Sequence, residues 1–353
     1  CRTLYRPGEG REEETEMSQS RLKKRNVSQG LIDYLRLQLG NAPLGAGDVF
    51  FLVADGTNYH TKLKNMGVPS DKLFITLAEA EDAMASDNGD NLLIFPGTHL
   101  QTASLTWDKH DTNIIGVGSV NQRFQPSTMT GGGVKLKLAT AVAQILDITA
   151  NYVSMYNIGT QNTADSATSV SDIRIKGRNF YAKNCAFRGG TGATQIGTAD
   201  CGVGVYVDST VAGAGNALVF EKCLFGSSGN TIRTVGANCL SFVGGSTAAG
   251  FEPLFLDCEF SAYTVTAACG FINVNSDACT DRFLTFRRCS FLNFANPATP
   301  MTNAILWNNQ TGWCIIDKCV GFGFSKWYTG TDNHLFVSDP AANGSGGITT
   351  ISA

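Results

Sequence analysis

The sequence predicts an all-β solenoid, in which short parallel strands stack as the coils of a β-helix. Two observations carry this prediction: the composition is rich in glycine and poor in charge, and one local sequence frame recurs at a near-constant spacing. Of 353 residues, 39 are glycine and only 16% are charged, whereas charged residues make up about 25% of an average globular domain. The 43% of hydrophobic residues excludes a disordered chain and is enough to bury a large core.

The recurring frame is centred on five cysteines. They are separated by 38, 35, 31 and 30 residues and are Cys185, Cys223, Cys258, Cys289 and Cys319. Apolar residues stand five and three positions before each cysteine, and a phenylalanine stands two positions after each of the first four. Internal similarity at a near-fixed period is typical of a solenoid, whose neighbouring units stack to bury a shared core.

Each frame predicts a strand, a corner and a second strand. Side chains alternate between the two faces of a strand, so the odd step from the apolar position −3 to the cysteine would turn the thiol outward unless the chain bends. Polar residues fill this step, as Glu221 and Lys222 do before Cys223. We therefore expect a corner there, with free cysteine and phenylalanine side chains stacked inside. The spacing fits neither a zinc site nor the disulfide framework of a short secreted domain.

The first half of the chain predicts the opening of such a solenoid. Residues 77–84 predict a short amphipathic helix, and residues 92–97 a buried strand that ends at a Pro-Gly break. Residues 113–118 predict another short strand. In this order of elements, the sequence resembles the pectin-lyase-like family of right-handed parallel β-helices over residues 72–330. The resemblance implies that the short helix caps the open end and that each coil returns an apolar strand.

The two ends of the chain are expected to lie outside the β-helix. Residues 1–16 predict a non-native or disordered leader, because residues 8–14 can all be encoded by purine-only codons and precede Met17, as a mistranslated ribosome-binding site would. Residues 331–353 predict a Gly/Ser-rich tail with a short strand.

Residues 17–71 predict an N-terminal attachment segment. Within it, residues 28–39 predict an amphipathic helix with an apolar stripe, formed by Leu31, Leu35 and Leu39. Residues 47–76 predict a small β-rich part. Because an apolar stripe is normally buried, this helix is expected to dock against a partner or against the end of the solenoid.

One short motif, Arg174-Ile-Lys176, has a counterpart in polysaccharide hydrolases of the family that the chain resembles. There it acts together with a Gly-His-Gly and a carboxylate cluster, and this chain has no Gly-His-Gly, Asp-Asp or Asn-Thr-Asp. Hydrolysis needs carboxyl groups that protonate the leaving group and activate water. Arg174 and Lys176 are therefore expected at outward positions of a strand.

A polysaccharide lyase would need acidic Ca²⁺ ligands on adjacent coils and an arginine base. Asp257 and Glu259 flank Cys258, and Asp277 and Asp281 follow. They could form a pair in a groove, but no acidic column continues through the neighbouring frames, so single carboxylates on a solvated face are expected. No catalytic, cofactor-binding or metal-binding residue and no cofactor are predicted, while a depolymerase site assembled between subunits stays open.

Beyond the fold, the sequence resembles β-helix proteins of tailed-bacteriophage virions, on residues 107–118, residues 121–123 and the Phe-x-x-Cys-x-Phe frames. The resemblance implies a non-enzymatic virion structural protein, either a capsid decoration protein or a tail-associated spike. It implies a homotrimer that contacts other virion proteins and a surface glycan and that assembles in the host cytoplasm, where thiols stay reduced.

Two alternatives remain: a polysaccharide-degrading tailspike, acting as a lyase or hydrolase, and a bacterial surface β-helix that binds carbohydrate. The net charge of −3 argues against a nucleic-acid partner. Residues 1–40 contain no run of seven apolar residues, so no membrane partner is expected.

Overall fold

A computed structural model shows three parallel β-sheets that wind around one apolar core. It describes residues 44–118, 133–138, 140–190, 192–198, 201–210, 213–226, 233–244, 252–275, 282–295, 301–308, 312–329 and 334–338. The expected leader, the attachment helix over residues 28–39 and the strand of the C-terminal tail lie outside these residues.

The strands are numbered in chain order and are grouped here by sheet. Sheet A contains β1 Val49–Leu52, β2 Leu73–Phe74, β3 Asn91–Ile94, β6 Thr112–Gly116, β9 Val153–Tyr156, β12 Tyr181–Lys183, β15 Val219–Glu221, β18 Leu254–Leu256, β21 Phe283–Arg287, β24 Trp313–Asp317 and β27 Leu335–Ser338. Sheet B contains β4 Gly97–Gln101, β7 Val134–Leu138, β10 Ile158–Asn162, β13 Ala186–Gly190, β16 Leu224–Gly226, β19 Glu259–Ala262, β22 Ser290–Asn293 and β25 Val320–Phe322. Sheet C contains β5 Leu105–Trp107, β8 Leu146–Ile148, β11 Ser171–Ile175, β14 Val203–Asp208, β17 Ala237–Val243, β20 Gly270–Val274, β23 Met301–Trp307 and β26 Phe324–Tyr328.

From β3 to β26 the chain visits sheets A, B and C in turn, and every strand pairs in parallel with the equivalent strand of the next coil. The helical elements are short: α1 Tyr59–Asn65, a 3-10 turn Ser70–Lys72, α2 Leu77–Ala83 and α3 Ala193–Ile196. The all-β, right-handed parallel β-helix predicted from the sequence is therefore confirmed.

The corner between sheets A and B contains one residue in the left-handed conformation. Its φ angle is 53° or 54° at each of the five residues that directly precede the frame cysteines, namely Asn184, Lys222, Asp257, Arg288 and Lys318. This residue turns the chain between the two strands, so the cysteine faces inward in spite of the odd step. The predicted bend is confirmed.

Inside the corner, the cysteine and phenylalanine side chains form columns along the helix axis. The five frame cysteines are at most 3% exposed, and every cysteine in the described residues is free. The rings of Phe220, Phe255 and Phe286 stack at centroid distances of 4.9 Å. Those of Phe225, Phe260 and Phe291 stack at 4.9 and 4.7 Å. These distances equal the spacing of adjacent strands, so each of these three coils adds one ring to each column.

The frame begins one coil earlier than the cysteines indicate. In the coil of β9 and β10, Asn157 has a φ of 56° and precedes Ile158. Thr160 pairs in register with Phe187 of the next coil. Ile158 and Thr160 therefore occupy the places that cysteine and phenylalanine take in the later coils.

The N-terminal end of the core is closed by α2. Thr76 and Glu79 form a reciprocal capping box at its first turn, which satisfies two backbone N–H groups at the start of the helix. Leu77, Ala80 and Met84 are buried in the main core next to the first coils. The capping helix expected over residues 77–84 is confirmed.

The bounds of the β-helix differ from the predicted residues 72–330. Strand β1 pairs in parallel with both β2 and β3, so sheet A begins at Val49, and β27 extends it to Ser338. The earlier N-terminal bound is explained by a second, smaller apolar cluster on the outer face of sheet A, where Leu63 of α1 packs with Phe51 and Phe95. Because α1 covers this face, β1 can be apolar on both sides.

Candidate functional site

Five residues on the outer face of sheet C form the most highly charged group on that sheet. This group, called here the sheet C patch, consists of Asp147, Arg174, Lys176, Tyr206 and Asp208. Arg174 pairs in register with Asp147 of β8 and with Tyr206 of β14. Ile173 and Ile175 point into the core, so Arg174 and Lys176 face outward, as predicted from the sequence.

Ion pairs link the cations and carboxylates of the patch. Lys176 Nζ lies 2.9 Å from Asp147 Oδ2, and Arg174 Nη2 donates to Asp208 Oδ2. The Arg174 guanidinium also lies over the Tyr206 ring, 5.8 Å from its centroid. Each carboxylate therefore has a cation partner on a neighbouring coil.

The electrostatics of Asp208 favour its ionised form. Burial alone would raise the pKa of this carboxyl, which is 1% exposed. Hydrogen bonds from the Thr210 backbone and hydroxyl, together with Arg174, outweigh burial and hold the pKa below its ordinary value. A carboxyl group held in this way is a poor proton donor, whereas glycoside hydrolysis needs one carboxylic acid with a raised pKa.

Two polar atoms of the patch are buried without a hydrogen-bond partner. They are Oδ1 of Asp147 and Nε of Arg174. A buried polar atom usually has a partner, so these two atoms are exceptions in a group whose other charged atoms are paired. The carboxylates of the patch are committed to ion pairs.

The acidic residues around Cys258 do not form a pair in a groove. Asp257 lies at the corner between sheets A and B and forms an ion pair with Arg288, with Nε 2.6 Å from Oδ1. This hydrogen bond lowers the pKa of Asp257. Glu259 lies on sheet B and accepts a hydrogen bond from Ser261. Asp277 and Asp281 lie outside the described residues.

A fully buried carboxyl that the sequence did not indicate is Asp172. It lies at the start of β11, where Oδ2 accepts hydrogen bonds from the Thr160 hydroxyl at 2.7 Å and the Gly189 backbone N–H at 2.9 Å. Burial raises its pKa to about 7, despite these hydrogen bonds. Its partners lie on sheet B, so Asp172 ties sheets B and C together, and no sequence motif marks it.

The outer face of sheet A carries an apolar line in the C-terminal coils. One residue of each strand contributes to it in register, and the residues are Val219, Leu254, Thr285, Ile315 and Phe336. Phe283 and Trp313 lie beside this line and are 43% and 44% exposed. Phe336, which belongs to the line, is 60% exposed. These seven residues are called here the outer stripe. The stripe runs parallel to the helix axis for about 19 Å, given the spacing of strands.

An ion-paired row borders the outer stripe. Lys183 pairs with Glu221 at 2.8 Å, and Arg287 pairs with Asp317 at 2.8 Å. In the N-terminal coils, the same outer face of sheet A is covered by α1 and the residues that follow it. An apolar centre with a polar rim is the usual anatomy of a protein interface.

Among the described residues, no group of three or more His, Cys, Asp or Glu side chains is placed to hold a metal ion. His99 points inward and hydrogen-bonds to the Phe95 carbonyl at 2.9 Å, and burial lowers its pKa. No helix in the described part of the chain is long and apolar enough to cross a membrane.

The chain is similar in fold to several solved structures. No protein-family model matches the chain, and no curated protein matches it. A pectin methylesterase from Aspergillus niger is 15% identical, with a TM-score of 0.44 over 90% of this chain and 93% of that chain. ORF18 of Geobacillus virus E2 is 13% identical, with a TM-score of 0.35 over 75% of this chain and 57% of that chain.

A third likeness is to tailspike protein gp49 of the Acinetobacter baumannii bacteriophage Fri1, a capsular polysaccharide depolymerase. It is 12% identical, with a TM-score of 0.24 over 82% of this chain and 63% of that chain. Identities of this size assign no role to any residue of the present chain.

Proposed function

We propose that the chain is a non-enzymatic structural protein of a tailed-bacteriophage virion, a capsid decoration protein or a tail-associated spike. The observation that carries the non-enzymatic role is the pairing within the sheet C patch. Both of its carboxylates are bound by cations of the same patch, so the charges stabilise the stack of coils. The virion role rests on the resemblance of residues 107–118 and of the repeated cysteine frames. The partners are other virion proteins. The protein joins the virion when the particle assembles in the host cytoplasm.

The outer stripe supports a homotrimer as the assembled form. The stripe is straight and parallel to the solenoid axis. If two copies are related by rotation about an axis parallel to the solenoid, their stripes meet along their whole length. The bordering ion pairs are already neutralised within one chain, so like charges do not oppose one another across such an interface. In the N-terminal coils, the chain itself covers the equivalent face.

Light scattering after size-exclusion chromatography tests this assembly. The full chain is expected at three times the monomer mass, and Ile315→Glu is expected as a monomer, because it buries a charge at the centre of the stripe. Val320→Glu is the matched control, since Val320 is 53% exposed on sheet B and its variant should stay trimeric. A monomeric wild-type protein would contradict the proposed homotrimer.

An activity screen tests the non-enzymatic role. The full chain should release neither reducing ends nor unsaturated products from a panel of bacterial capsular polysaccharides, with or without Ca²⁺. Product release that is abolished in Asp147→Asn or Asp208→Asn would replace the structural role with catalysis at the sheet C patch.

Mass spectrometry of purified phage particles encoded by the same genome tests the virion role. The protein should be present at a fixed copy number per particle, and its absence would contradict the proposal. A variant beginning at residue 44 tests attachment, because it keeps β1 and α1, which a start at residue 72 would remove. This variant should melt as the full chain does but should not bind to particles that lack the protein.

A second candidate function, a polysaccharide-degrading tailspike, is favoured by the unpartnered Asp147 Oδ1 and Arg174 Nε. A bound sugar would satisfy both atoms. Binding without product release would assign the patch to glycan attachment, and product release would assign it to degradation.

A further inference from the structure

The turn that joins β1 to α1 contains an Asp-Gly dipeptide, Asp55-Gly56, in an exposed position. The residues on either side of it are joined by hydrogen bonds. The Thr57 backbone N–H and hydroxyl both donate to the Ala54 carbonyl, at 3.3 and 2.7 Å, and Ala54 is buried. Asp55 and Gly56 therefore form the solvent-exposed tip of a tight turn whose base is fixed to the β-helix.

Within this turn, the Asp55 carboxyl group lies next to the backbone nitrogen of Gly56. The Gly56 N–H donates to Asp55 Oδ1 at 2.8 Å, so the nitrogen is close to Cγ, the carbon that carries Oδ1. Gly56 has a φ angle of 72°. Apart from its chain neighbours, no atom of the described residues lies within 4 Å of the position that a Cβ would take there. Because glycine has no side chain, the nitrogen is not shielded.

These two groups are the reactants of a ring closure. The Gly56 nitrogen attacks Asp55 Cγ and forms a C–N bond, while one Cγ–O bond of the protonated carboxyl breaks. The hydroxyl group leaves with the amide proton as one water molecule. Water then adds to either carbonyl of the five-membered imide. Addition at the side-chain carbonyl restores aspartate, and addition at the main-chain carbonyl gives isoaspartate, in which the backbone runs through the side chain.

The described residues contain one other dipeptide of this reactive type, Asn88-Gly89, and hydrogen bonds hold it in place. The Asn88 amide donates to Asp90 Oδ1 at 2.7 Å. The Gly89 carbonyl accepts hydrogen bonds from the Gly47 backbone at 2.9 Å and from the Asn91 amide at 3.1 Å, and Gly89 is buried. Ring closure there has to wait for local opening of this part of the chain.

We propose that Asp55-Gly56 is a site of spontaneous covalent modification, at which aspartate converts to isoaspartate in the folded protein. The product lengthens the backbone between β1 and α1 by one methylene group. Since Leu63 of α1 packs on the outer face of sheet A, the modification changes the connection that holds this covering helix to its strand. The proposal does not rest on the proposed virion role.

Peptide mapping by mass spectrometry tests the proposal on the full chain, which is incubated near neutral pH in the folded state and, in parallel, in denaturant. Isoaspartate peptides keep the mass of aspartate peptides but elute separately, and a protein-isoaspartate methyltransferase labels them. Residue 55 should form isoaspartate in the folded protein at nearly the rate of the denatured chain. Asn88 should deamidate about 10-fold or more slowly in the folded protein than in denaturant, because the folded chain has to open first.

Two substitutions at residue 55 assign the chemistry. Asp55→Glu keeps the charge but would require a six-membered ring, so the isoaspartate signal at residue 55 should be lost. Asp55→Asn is the matched positive control, because its amide reacts without the protonation that a carboxylate needs, and it should convert faster than the wild type. Residue 55 is exposed, so both variants should fold, which circular dichroism checks.

Two results would overturn the proposal. One is a folded protein in which residue 55 stays aspartate while the denatured chain forms isoaspartate there. The other is equal slowing of the reactions at Asp55 and Asn88 by folding, which would mean that the exposed turn gives no special access. Neither result bears on the proposed virion role.

Discussion

The coils before residue 176 and the coils from residue 180 onward fold in the same way but are stabilised by different side chains. The later coils have a cysteine in each corner, and three successive coils add stacked phenylalanine rings. The earlier coils fill the same space with aliphatic residues such as Ile114, Leu136 and Ile158. They also bury the polar groups of Asp172 and Lys135 and carry α1 on the outside of sheet A.

The difference shows what a solenoid requires and what it leaves free. In the six coils whose corners run from Asn157 to Lys318, a left-handed residue precedes an inward apolar residue, as Asn157 precedes Ile158 and Lys222 precedes Cys223. The identity of the inward residue is free within limits of volume. Regular aromatic packing therefore marks the later coils, and the earlier coils reach the same fold with aliphatic residues.

The largest expected effect is on the aromatic columns. Phe286→Ala should lower the free energy of unfolding by about 3–5 kcal/mol, because it leaves a cavity between the Phe255 ring and Ile316. Phe322→Ala, on the outer face of sheet B and 45% exposed, is the matched control and should change stability by about 0.5 kcal/mol or less. Chemical denaturation measures both, and equal losses would mean that the assigned inward face is wrong.

The next effect is a pH dependence that originates in the earlier coils. Burial raises the pKa of Asp172 from an ordinary 3.8 to about 7. Between these values the folded state holds a proton that the unfolded state has released, so this group's contribution to stability is greatest below pH 4 and is lost as the pH rises through 7. The loss is about 4 kcal/mol.

Asp172→Asn should remove this part of the pH dependence, as measured by denaturation between pH 4 and 8. The remaining slope belongs to groups such as Glu81, whose pKa burial also raises to about 7. Asp257→Asn, at an exposed ion pair, is the control and should leave the slope unchanged. A variant Asp172→Asn with the wild-type slope would contradict the assignment.

The sequence predicted the positions of the coils only where the same residue types repeat. Cys223 and Phe225 recur in later frames and revealed the period, whereas Ile158 and Thr160 occupy the same places and were not recognised. Helix α1 was not predicted, because its seven residues contain one buried apolar side chain, Leu63, and therefore no apolar stripe.

The candidate sites could be predicted only in part. Arg174 and Lys176 were expected at outward positions of a strand, because the motifs that supply catalytic carboxyl groups are missing from the sequence. The proximity of Lys135, Gln161 and Arg188 on sheet B was not recognised, because these residues are 26 and 27 residues apart in the sequence. They meet only through the register of adjacent coils, which depends on the lengths of the connecting loops.

The smallest expected effect compares the corners of the two regions. A non-glycine residue in the left-handed conformation costs about 1–2 kcal/mol, less for asparagine. Lys222→Gly should therefore stabilise the protein by about 0.5–1 kcal/mol after the entropy of glycine is subtracted. Asn157→Gly should change stability by less. A destabilised Lys222→Gly variant would show that the Lys222 side chain does more than form its exposed contact with Glu221.

Thiol labelling of the native protein, analysed by mass spectrometry of peptides, tests the stacked corners most directly. The thiols of Cys185, Cys223, Cys258, Cys289 and Cys319 are buried and free, and burial raises the pKa of Cys223 well above its ordinary value, which suppresses the reactive thiolate. The account predicts that all five stay unmodified in the folded protein and react together on denaturation. Rapid modification of these thiols in the native state, or disulfide bonds among them, would contradict it.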